Sequence, residues 1–257
     1  MKKILSATLI AGLFSSAAFA QTTVSSANIV GYAKIDLQPG GKYTLAACNF
    51  QAGATNTLLS VFGTDQLTQD DNYGNCDRII LWNPSTQLYQ AWAQWTDGVF
   101  YKANDGAEWA LGISGNPEIP VGKGFFISSG NVSNAIYLSG DVITATTQTV
   151  NLVEGYQILG NTFSSDIALQ NTSFASNGAA ADDNYGNCDR IHVWEGDRYQ
   201  AYALWTDGVW YKANDGTQWA EGIAATNQLS LSQGFFYEAK VPMVWTASNP
   251  YSANLQN

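Results

Sequence analysis

An internal duplication constrains the fold of this 257-residue chain more than any other feature. Asp70–Ile79 recurs without change as Asp182–Ile191, at a shift of 112 residues. A two-residue deletion in the second copy then reduces the shift to 110, and Tyr89–Ala110 matches Tyr199–Ala220 at 17 of 22 positions. A chain that repeats itself at this spacing is built from two copies of one structural unit.

Weaker matches extend the repeat in both directions. Tyr43–Phe50 resembles Tyr156–Phe163, and the Gly-Phe-Phe at 124–126 pairs with the one at 234–236. Between the copies, the polar stretch Thr144–Gln148 is typical of a short connector. We therefore predict a first module at 21–143 and a second at 148–257, related by a pseudo-twofold axis.

Turn signals inside each copy favour strands over helices. Asp97-Gly98 and Asp207-Gly208 each lie between runs rich in aromatic and β-branched residues, which is a strong hairpin signal. The best helix candidate, Asn56–Phe62, is only two turns long and has no strong caps. The sequence predicts an all-β chain of two tandem homologous antiparallel β-sandwich or barrel-like modules.

The first twenty residues have the pattern of a secretory signal peptide. Lys2 and Lys3 precede the apolar stretch Ile4–Phe14, and Ala18-Phe19-Ala20 provides a small-residue cleavage site. The apolar stretch is shorter than the roughly 20 residues that a membrane-spanning helix needs, so no membrane span is expected. We predict a secreted protein that is extracellular or bound to the cell surface, with the periplasm left open.

The charge balance excludes nucleic acid as an expected partner. The chain has 11 Lys and Arg against 21 Asp and Glu, and removal of the signal peptide leaves 9 basic residues and a net charge of −12. Such a surface repels phosphate groups. Neither nucleic acid nor an anionic membrane surface is therefore expected to bind.

The hairpin at Asp97-Gly98 carries aromatic residues on both faces. If these two residues form the turn, Gln94 pairs with Tyr101 and Trp95 with Phe100. One interpretation places the rings in the core or between the modules. The other makes the glutamine-bearing face a sugar-binding surface in each module, with candidate residues Gln90, Trp92, Gln200 and Tyr202.

The duplicated acidic loop concentrates oxygen ligands around a glycine. Calcium takes six to eight oxygens, and the candidate ligands are Asp71, Asn72, Asn75, Asp77, Asp183, Asn184, Asn187 and Asp189. The spacing departs from that of a helix-loop-helix calcium loop, because Leu81 and Val193 occupy the twelfth position. The alternative is a turn whose Asp and Asn side chains cap backbone amides. Calcium is the only cofactor that the sequence suggests. The alternative is that the protein binds no cofactor.

The chain has three cysteines, so at least one thiol stays unpaired if disulfides form within the exported chain. Cys76 and Cys188 occupy equivalent positions, whereas Cys48 aligns with Asn161. A Cys76–Cys188 bridge requires the two loops to meet near a pseudo-twofold axis. A Cys48–Cys76 bridge within the first module, and no bridge at all, are the alternatives.

No enzyme signature is present in the sequence. His192 is the single histidine, and no serine-hydrolase, zinc-protease or phosphate-loop motif occurs. The duplicated aspartates coincide with turns, where aspartate is expected for backbone reasons. We therefore expect a protein that is not an enzyme, with catalysis on a polysaccharide as the remaining alternative.

Short motifs resemble a group of secreted bacterial proteins. Asn28-Ile29-Val30-Gly31-Tyr32, the Leu45–Phe50 segment and Pro120–Ile127 resemble uncharacterised secreted repeat proteins of Verrucomicrobia-type bacteria. The matching stretches cover about a third of the mature chain, and the second copy departs from them at Leu231-Ser232-Gln233. The resemblance implies export from a Gram-negative-type cell and repeated β modules, and it implies no activity.

Two functions follow as expectations. The first is a non-catalytic exported β-repeat protein of the cell surface or extracellular matrix, with a structural or assembly role and copies of itself as partners. In that case Thr22–Leu37 either adds a strand to a neighbouring molecule or forms the first strand of its own module. The alternative is a carbohydrate-binding module with two glycan sites that bind an extracellular glycan, with or without calcium.

Overall fold

A computed structural model describes residues 29–38, 40–104, 108–130, 135–214 and 218–251 of the chain. The signal-peptide prediction at 1–20 lies outside the described residues. The described part of the chain is all-β and antiparallel, as the turn pattern predicts. None of its helices has the length and apolar character needed to cross a membrane.

The first half of the described chain contains one six-stranded and one three-stranded sheet. Its elements are β1 (Val30–Asp36), β2 (Tyr43–Ala47), β3 (Phe50–Gln51), α1 (Leu58–Phe62), β4 (Arg78–Asn83), β5 (Leu88–Gln94), β6 (Phe100–Asn104), β7 (Glu108–Ser114), β8 (Gly124–Ser128) and β9 (Ala135–Val142). The large sheet has the order β2-β8-β4-β5-β6-β7, and the small one β1-β9-β3. Strand β1 belongs to the segment Thr22–Leu37, for which pairing with a neighbouring molecule was one prediction. In the structure β1 pairs with β9 of its own half.

The second half repeats the large sheet. Its strands are β10 (Thr147–Leu152), β11 (Gly155–Gly160), β12 (Ile167–Ala168), β13 (Arg190–Trp194), β14 (Tyr199–Leu204), β15 (Trp210–Asn214), β16 (Gln218–Ala224), β17 (Gln228–Leu229), β18 (Gly234–Ala239) and β19 (Met243–Ser248). The six-stranded order is β11-β18-β13-β14-β15-β16, the same connectivity as in the first half. Two-stranded pairs β10-β19 and β12-β17 accompany it. The polar connector lies between β9 and β10.

Each large sheet buries one face against its smaller partner. In the first half, Ile79, Phe125 and Ile127 of the large sheet share a core with Ile136 and Leu138 of β9. In the second half, the equivalent core is formed by residues of β13, β14, β15 and β18 together with the strand pair that carries Trp245. Burial of aliphatic and aromatic side chains on one face is the main contribution that holds each pair of sheets together.

The short helix α1 is better capped than its sequence indicates. The Thr57 hydroxyl accepts a hydrogen bond from the amide of Ser60, and the Ser60 hydroxyl accepts one from the amide of Thr57. This reciprocal capping box satisfies two amides that a helix end would otherwise leave free. The prediction that Asn56–Phe62 has no strong caps is therefore wrong, because serine replaces the usual glutamate.

The predicted pairing of the aromatic hairpins is wrong by one residue. Gln94 pairs with Phe100 and Ala93 with Tyr101, because the loop has three residues instead of two. The Trp95 amide donates to Val99 O at 3.0 Å, and Gly98 takes a positive φ of 78° to close the loop. A one-residue shift moves a side chain to the opposite face of a sheet. Phe100 and its counterpart Trp210 thus join the glutamine-bearing face, which is the core face.

The two large sheets meet along β2 and β8 on one side and β11 and β18 on the other. Two matching backbone hydrogen bonds cross this seam: the Ala47 amide donates to Ser232 O and the Gly160 amide donates to Gly122 O, both at 2.9 Å. A Cβ at Gly160 would lie 2.0 Å from the Cβ of Ala47. The close approach of the two halves therefore requires glycine at this position.

Candidate functional site

A cleft of about 1270 Å³ opens beside the seam, between the outer face of the first large sheet and the β13–β14 hairpin of the second. Its floor is an apolar row across four strands, because Leu45 pairs with Phe126, Phe126 with Ile80, and Ile80 with Ala91. A polar row that contains Tyr43, Ser128 and Arg78 lies on the same face, two residues farther along the strands. The remaining lining residues are Gln38, Gly41, Lys42, Thr44, Tyr73, Tyr89, Trp194, Gly196, Asp197, Tyr199, Gln233 and Gly234.

Four aromatic rings with exposed surface surround the cleft. Tyr43 is 60% exposed and Trp194 is 44% exposed, and Tyr89 and Tyr199 also reach solvent. Tyr199 packs edge-on against Phe236 at 5.4 Å between ring centroids, and Tyr89 contacts Phe126 at 6.1 Å. Burial, with a smaller contribution from the neighbouring Tyr89, raises the pKa of Tyr199 to about 12. The rings are therefore held by packing while part of their surface faces the cleft.

The corresponding region on the other side of the seam is bridged by hydrogen bonds, and the pocket beside Trp82 there has a volume of only about 310 Å³. There the β4–β5 hairpin of the first half lies on the second half, and Trp82 Nε1 donates to Tyr156 O at 2.6 Å. Gln87 also donates to Tyr156 O, at 3.1 Å, and accepts from the Tyr156 amide at 3.2 Å. No matching hydrogen bond between Trp194 and Tyr43 occurs among the described residues.

The two-residue deletion explains this difference. Both hairpins have four-residue loops, Pro84–Gln87 and Glu195–Arg198, and the Glu195 amide donates to Arg198 O at 2.9 Å. The β4–β5 hairpin is longer by the pair Asn83–Leu88, which the β13–β14 hairpin lacks. The second copy lacks a counterpart of the Gln87 side chain that bridges to the opposite half. The shorter hairpin consequently leaves the cleft open.

The charged groups also differ between the two sides. Arg78 Nη2 donates to Ser128 Oγ at 3.0 Å, and the guanidinium lies over the Tyr73 ring at 5.3 Å. In the second half, Arg190 forms an ion pair with Glu238, which replaces Ser128. Glu238 also contacts Lys240 at 2.8 Å. Burial acts to raise the pKa of Glu238, but the nearby His192, Lys240 and Arg190 side chains together hold that pKa far below its ordinary value.

The predicted sugar-binding residues do not form an exposed surface. Tyr202 is 1% exposed, and its hydroxyl lies 2.6 Å from Glu195 Oε1 and 2.5 Å from Asn227 Oδ1. Trp92 is half-buried against the first core, with its ring at Gly115. Gln90 and Gln200 each donate to two backbone carbonyls, one of the next residue in the same strand and one in the adjacent strand. The interpretation that places these rings in the core therefore fits the structure, because this face of each large sheet packs against the hydrophobic core.

The predicted calcium ligands of the first loop are engaged in hydrogen bonds within the protein. Asp77 is buried and accepts from the amides of Thr68 and Gly130, each at 2.9 Å. Asp71 instead accepts from Thr96 Oγ1 at 2.8 Å and from Trp95 Nε1. The other two candidates cap the turn: Asn72 Oδ1 accepts from the Gly74 amide, and Asn75 Nδ2 donates to Asp70.

The second loop has the same arrangement. Asp183 accepts from Thr206 Oγ1 at 2.8 Å, and Asn184 caps the turn at Gly186 while its carbonyl accepts from the amide of Asn187. Asp189 is buried, which raises the pKa of its carboxyl group, and it accepts from the Tyr237 hydroxyl at 2.6 Å. Within the described ranges, no three His, Cys, Asp or Glu side chains cluster as a metal site would require. Calcium binding stays a prediction.

The structure does not pair Cys76 with Cys188. Cys48, Cys76 and Cys188 are all unpaired and buried. Each thiol bonds to a carbonyl near it in sequence, as Cys76 does with Asp70 O at 3.1 Å and Cys188 with Tyr185 O at 3.3 Å. Burial raises the pKa of Cys76 to about 11, which disfavours the reactive thiolate.

The cleft itself was not among the sequence predictions. Its residues come from β2, β4, β5 and β8 of one half and from the β13–β14 hairpin and Gln233-Gly234 of the other. Two sequence differences between the copies could have indicated it: the deletion after Trp194, and serine at 128 where the second copy has Glu238.

Comparisons with known proteins add no further constraint at this point. No protein-family model matches the chain, and neither a curated protein nor a solved structure does so.

Proposed function

We propose that this chain is an exported, non-catalytic carbohydrate-binding protein whose binding site is the cleft at the seam. The observation that carries the proposal is the row of aromatic rings with exposed surface around a cleft of about 1270 Å³. Clefts that hold small ligands are commonly about 300–1000 Å³, so this one has room for several sugar units. The proposed site is formed by residues of both halves, instead of one site in each module.

Sugar recognition suits the chemistry of this lining. The face of an aromatic ring carries partial negative charge, so sugar C–H groups pack favourably against it. Gln38 and Gln233 offer amide donors and acceptors to hydroxyl groups at the same cleft. Among the described lining residues the one carboxylate is Asp197, whereas most glycoside hydrolases use two carboxyl groups. This composition supports binding over hydrolysis.

The test is a glycan array followed by calorimetry on the best ligand. We expect the Tyr43→Ala/Trp194→Ala variant to lose at least about tenfold in affinity, because two stacking surfaces disappear. Its melting temperature should change little, since both side chains are largely exposed. Tyr32→Ala is the matched control: Tyr32 is 75% exposed on β1, outside the cleft, and its removal should leave binding intact.

Two results would overturn the proposal. One is an array on which the mature protein retains no glycan. The other is a double variant that binds as tightly as the unaltered protein, since the cleft rings would then have no part in recognition.

A second candidate function, assembly with copies of itself, is favoured by one observation. Strand β1 lies at the edge of the three-stranded sheet, and Val30 and Tyr32 project from it into solvent. An exposed apolar edge strand is a template for pairing with another chain. If it functions in assembly, Val30→Lys/Tyr32→Lys should reduce the mass measured by light scattering. A protein that is monomeric at high micromolar concentration before substitution would contradict this candidate.

A further inference from the structure

We propose that the cleft selects an acidic glycan, with Arg78 as the group that receives a sugar carboxylate of the uronic-acid type. This inference rests on the proposed glycan-binding function and specifies its ligand class. It is carried by the difference between Arg78 and Arg190, which occupy equivalent positions in the two halves.

Arg78 lies in the cleft lining without a carboxylate partner in the described part of the chain. Its Nη2 donates to Ser128 Oγ, and Nε is buried with no hydrogen-bond partner. No Asp or Glu among the described residues forms an ion pair with it. The Nε of Arg190 is equally buried and without a partner among the described residues, so the two arginines differ in the pairing of their charge. A half-buried guanidinium whose charge has no carboxylate partner favours an anionic ligand, since burial of an unpaired charge costs stability.

The second half shows how a carboxylate satisfies this arginine. Arg190 has the same register position on its sheet, and Glu238 stands where the first half has Ser128. There Glu238 Oε1 contacts the Arg190 guanidinium directly. The Ser128 hydroxyl accepts a hydrogen bond from Arg78 but carries no charge, so it does not neutralise the guanidinium. The Arg190–Glu238 pair is therefore an internal example of the contact that a ligand carboxylate would make with Arg78.

The surrounding charges favour one anionic group at this end of the cleft. Lys42 also lines the cleft, whereas Asp197, the one carboxylate of the described lining, belongs to the β13–β14 hairpin. Arginine presents a planar fork of N–H donors that matches a carboxylate in bidentate geometry. The net charge of −10 on the whole chain repels anions that lack these local contacts, which makes the aromatic and arginine contacts necessary for binding.

The experiment compares ligands that differ only in charge. Tetrasaccharides of galacturonate, glucuronate and mannuronate are titrated beside their methyl esters, which keep the sugar framework and remove the charge. We expect at least one uronate to bind about tenfold or more tightly than its ester. The third ligand is a tetrasaccharide of neutral sugars that carries sulfate groups. A preference for this ligand over every uronate would overturn the carboxylate assignment.

Two variants test the residue assignment. Ser128→Glu introduces the glutamate of the second half, so it should neutralise Arg78 and abolish the preference for uronate over ester while ester binding persists. Arg78→Gln should do the same and decides the question if Ser128→Glu fails to fold. Lys34→Gln, which removes one positive charge far along the chain on β1, should retain the preference.

The outcomes separate the two proposals. Equal binding of uronate and ester, unaffected by Arg78→Gln, would overturn the acidic-ligand inference and leave the glycan site standing. If Arg78→Gln abolished the binding of both the uronate and the ester, the acidic-ligand inference would also be overturned. If neither acidic nor neutral glycans bind the unaltered protein, the glycan-binding function itself fails.

Discussion

The two hairpins that reach across the seam contain similar residues and have different effects. The β4–β5 hairpin closes its side, because Trp82 and Gln87 bond to the backbone of Tyr156. The β13–β14 hairpin carries the equivalent Trp194 but is shorter by one residue pair, and the larger cleft opens beside it. Thus two copies of one unit differ at the seam because a two-residue deletion distinguishes them.

The difference in charge follows the difference in shape. On the closed side Glu238 neutralises Arg190, and Lys240 adds a second ion pair. On the open side Arg78 has a hydroxyl as its partner. A duplicated chain can therefore retain the internal ion pair in one copy and leave the equivalent arginine available to a ligand in the other.

The largest expected effect comes from breaking the seam that both sides share. Gly160→Ala would place a Cβ 2.0 Å from that of Ala47, which forces the halves apart. We expect the free energy of unfolding in urea to fall by about 3 kcal/mol, the upper part of the range for overpacking. The control Gly186→Ala meets only the Asn184 side chain, at 3.3 Å, and should have a much smaller effect. Equal effects of the two variants would contradict a close-packed seam.

The second prediction concerns the Glu238 cluster and acid. Because the pKa of Glu238 is lower in the folded protein than in the unfolded chain, its contribution to stability is present above about pH 4.5 and is lost as the pH falls below that value. Glu238→Gln should reduce the free energy of unfolding at pH 7 by about 2 kcal/mol and flatten its decline in acid. The exposed Glu154→Gln should leave the measured pH profile nearly unchanged. An identical profile for Glu238→Gln would contradict the ion-pair interpretation.

A smaller effect is expected from the tryptophan pair. Trp82→Phe removes the Nε1 donor to Tyr156 O while keeping an aromatic ring, and we expect a loss of about 1 kcal/mol in chemical denaturation. Trp194→Phe is the matched control, since no hydrogen bond from Trp194 to the described residues is found, and its effect on stability should be close to zero. Comparable losses in the two variants would show that the closed and open sides are equally bonded.

The smallest effect is expected at the turns that carry the seam. Ser232 has a φ of 60° and a buried hydroxyl with no partner among the described residues, whereas Gly122 occupies the equivalent turn at a φ of 83°. Ser232→Gly should stabilise the protein by about 0.5 kcal/mol, because glycine adopts this conformation without strain. Gly122→Ala should do the opposite, since a Cβ there would lie 2.6 Å from Thr162 Cγ2. A loss of melting temperature in Ser232→Gly would contradict this reasoning.

Local chemistry made the all-β class predictable. Asp-Gly turns and alternating aromatic residues favour antiparallel hairpins whatever surrounds them, and the structure confirms that class. The pairing inside the hairpins was not predictable from Asp97-Gly98, because two-residue and three-residue loops use the same residues. That one-residue difference decided that Trp210 lies on the buried face of its sheet.

Long-range placement lay beyond sequence reasoning. Equivalent cysteines suggested a bridge, but each thiol is enclosed in its own loop. The residues of the acidic loops suggested ligands for calcium. In the structure their carboxylates accept hydrogen bonds from different elements of the fold. Capping geometry and side-chain direction depend on neighbours that are distant in sequence.

By itself, the sequence determined that the chain is a duplicated, acidic, hairpin-rich protein, because repeats, charges and turn residues act over short distances. The tertiary structure alone decided which copy closes the seam and which leaves a cleft. Tyr43 and Trp194 meet at that cleft although about 150 residues separate them, because the packing of two sheets brings them together. A cleft built from both halves cannot be seen in either repeat, and it arises from the small differences between them.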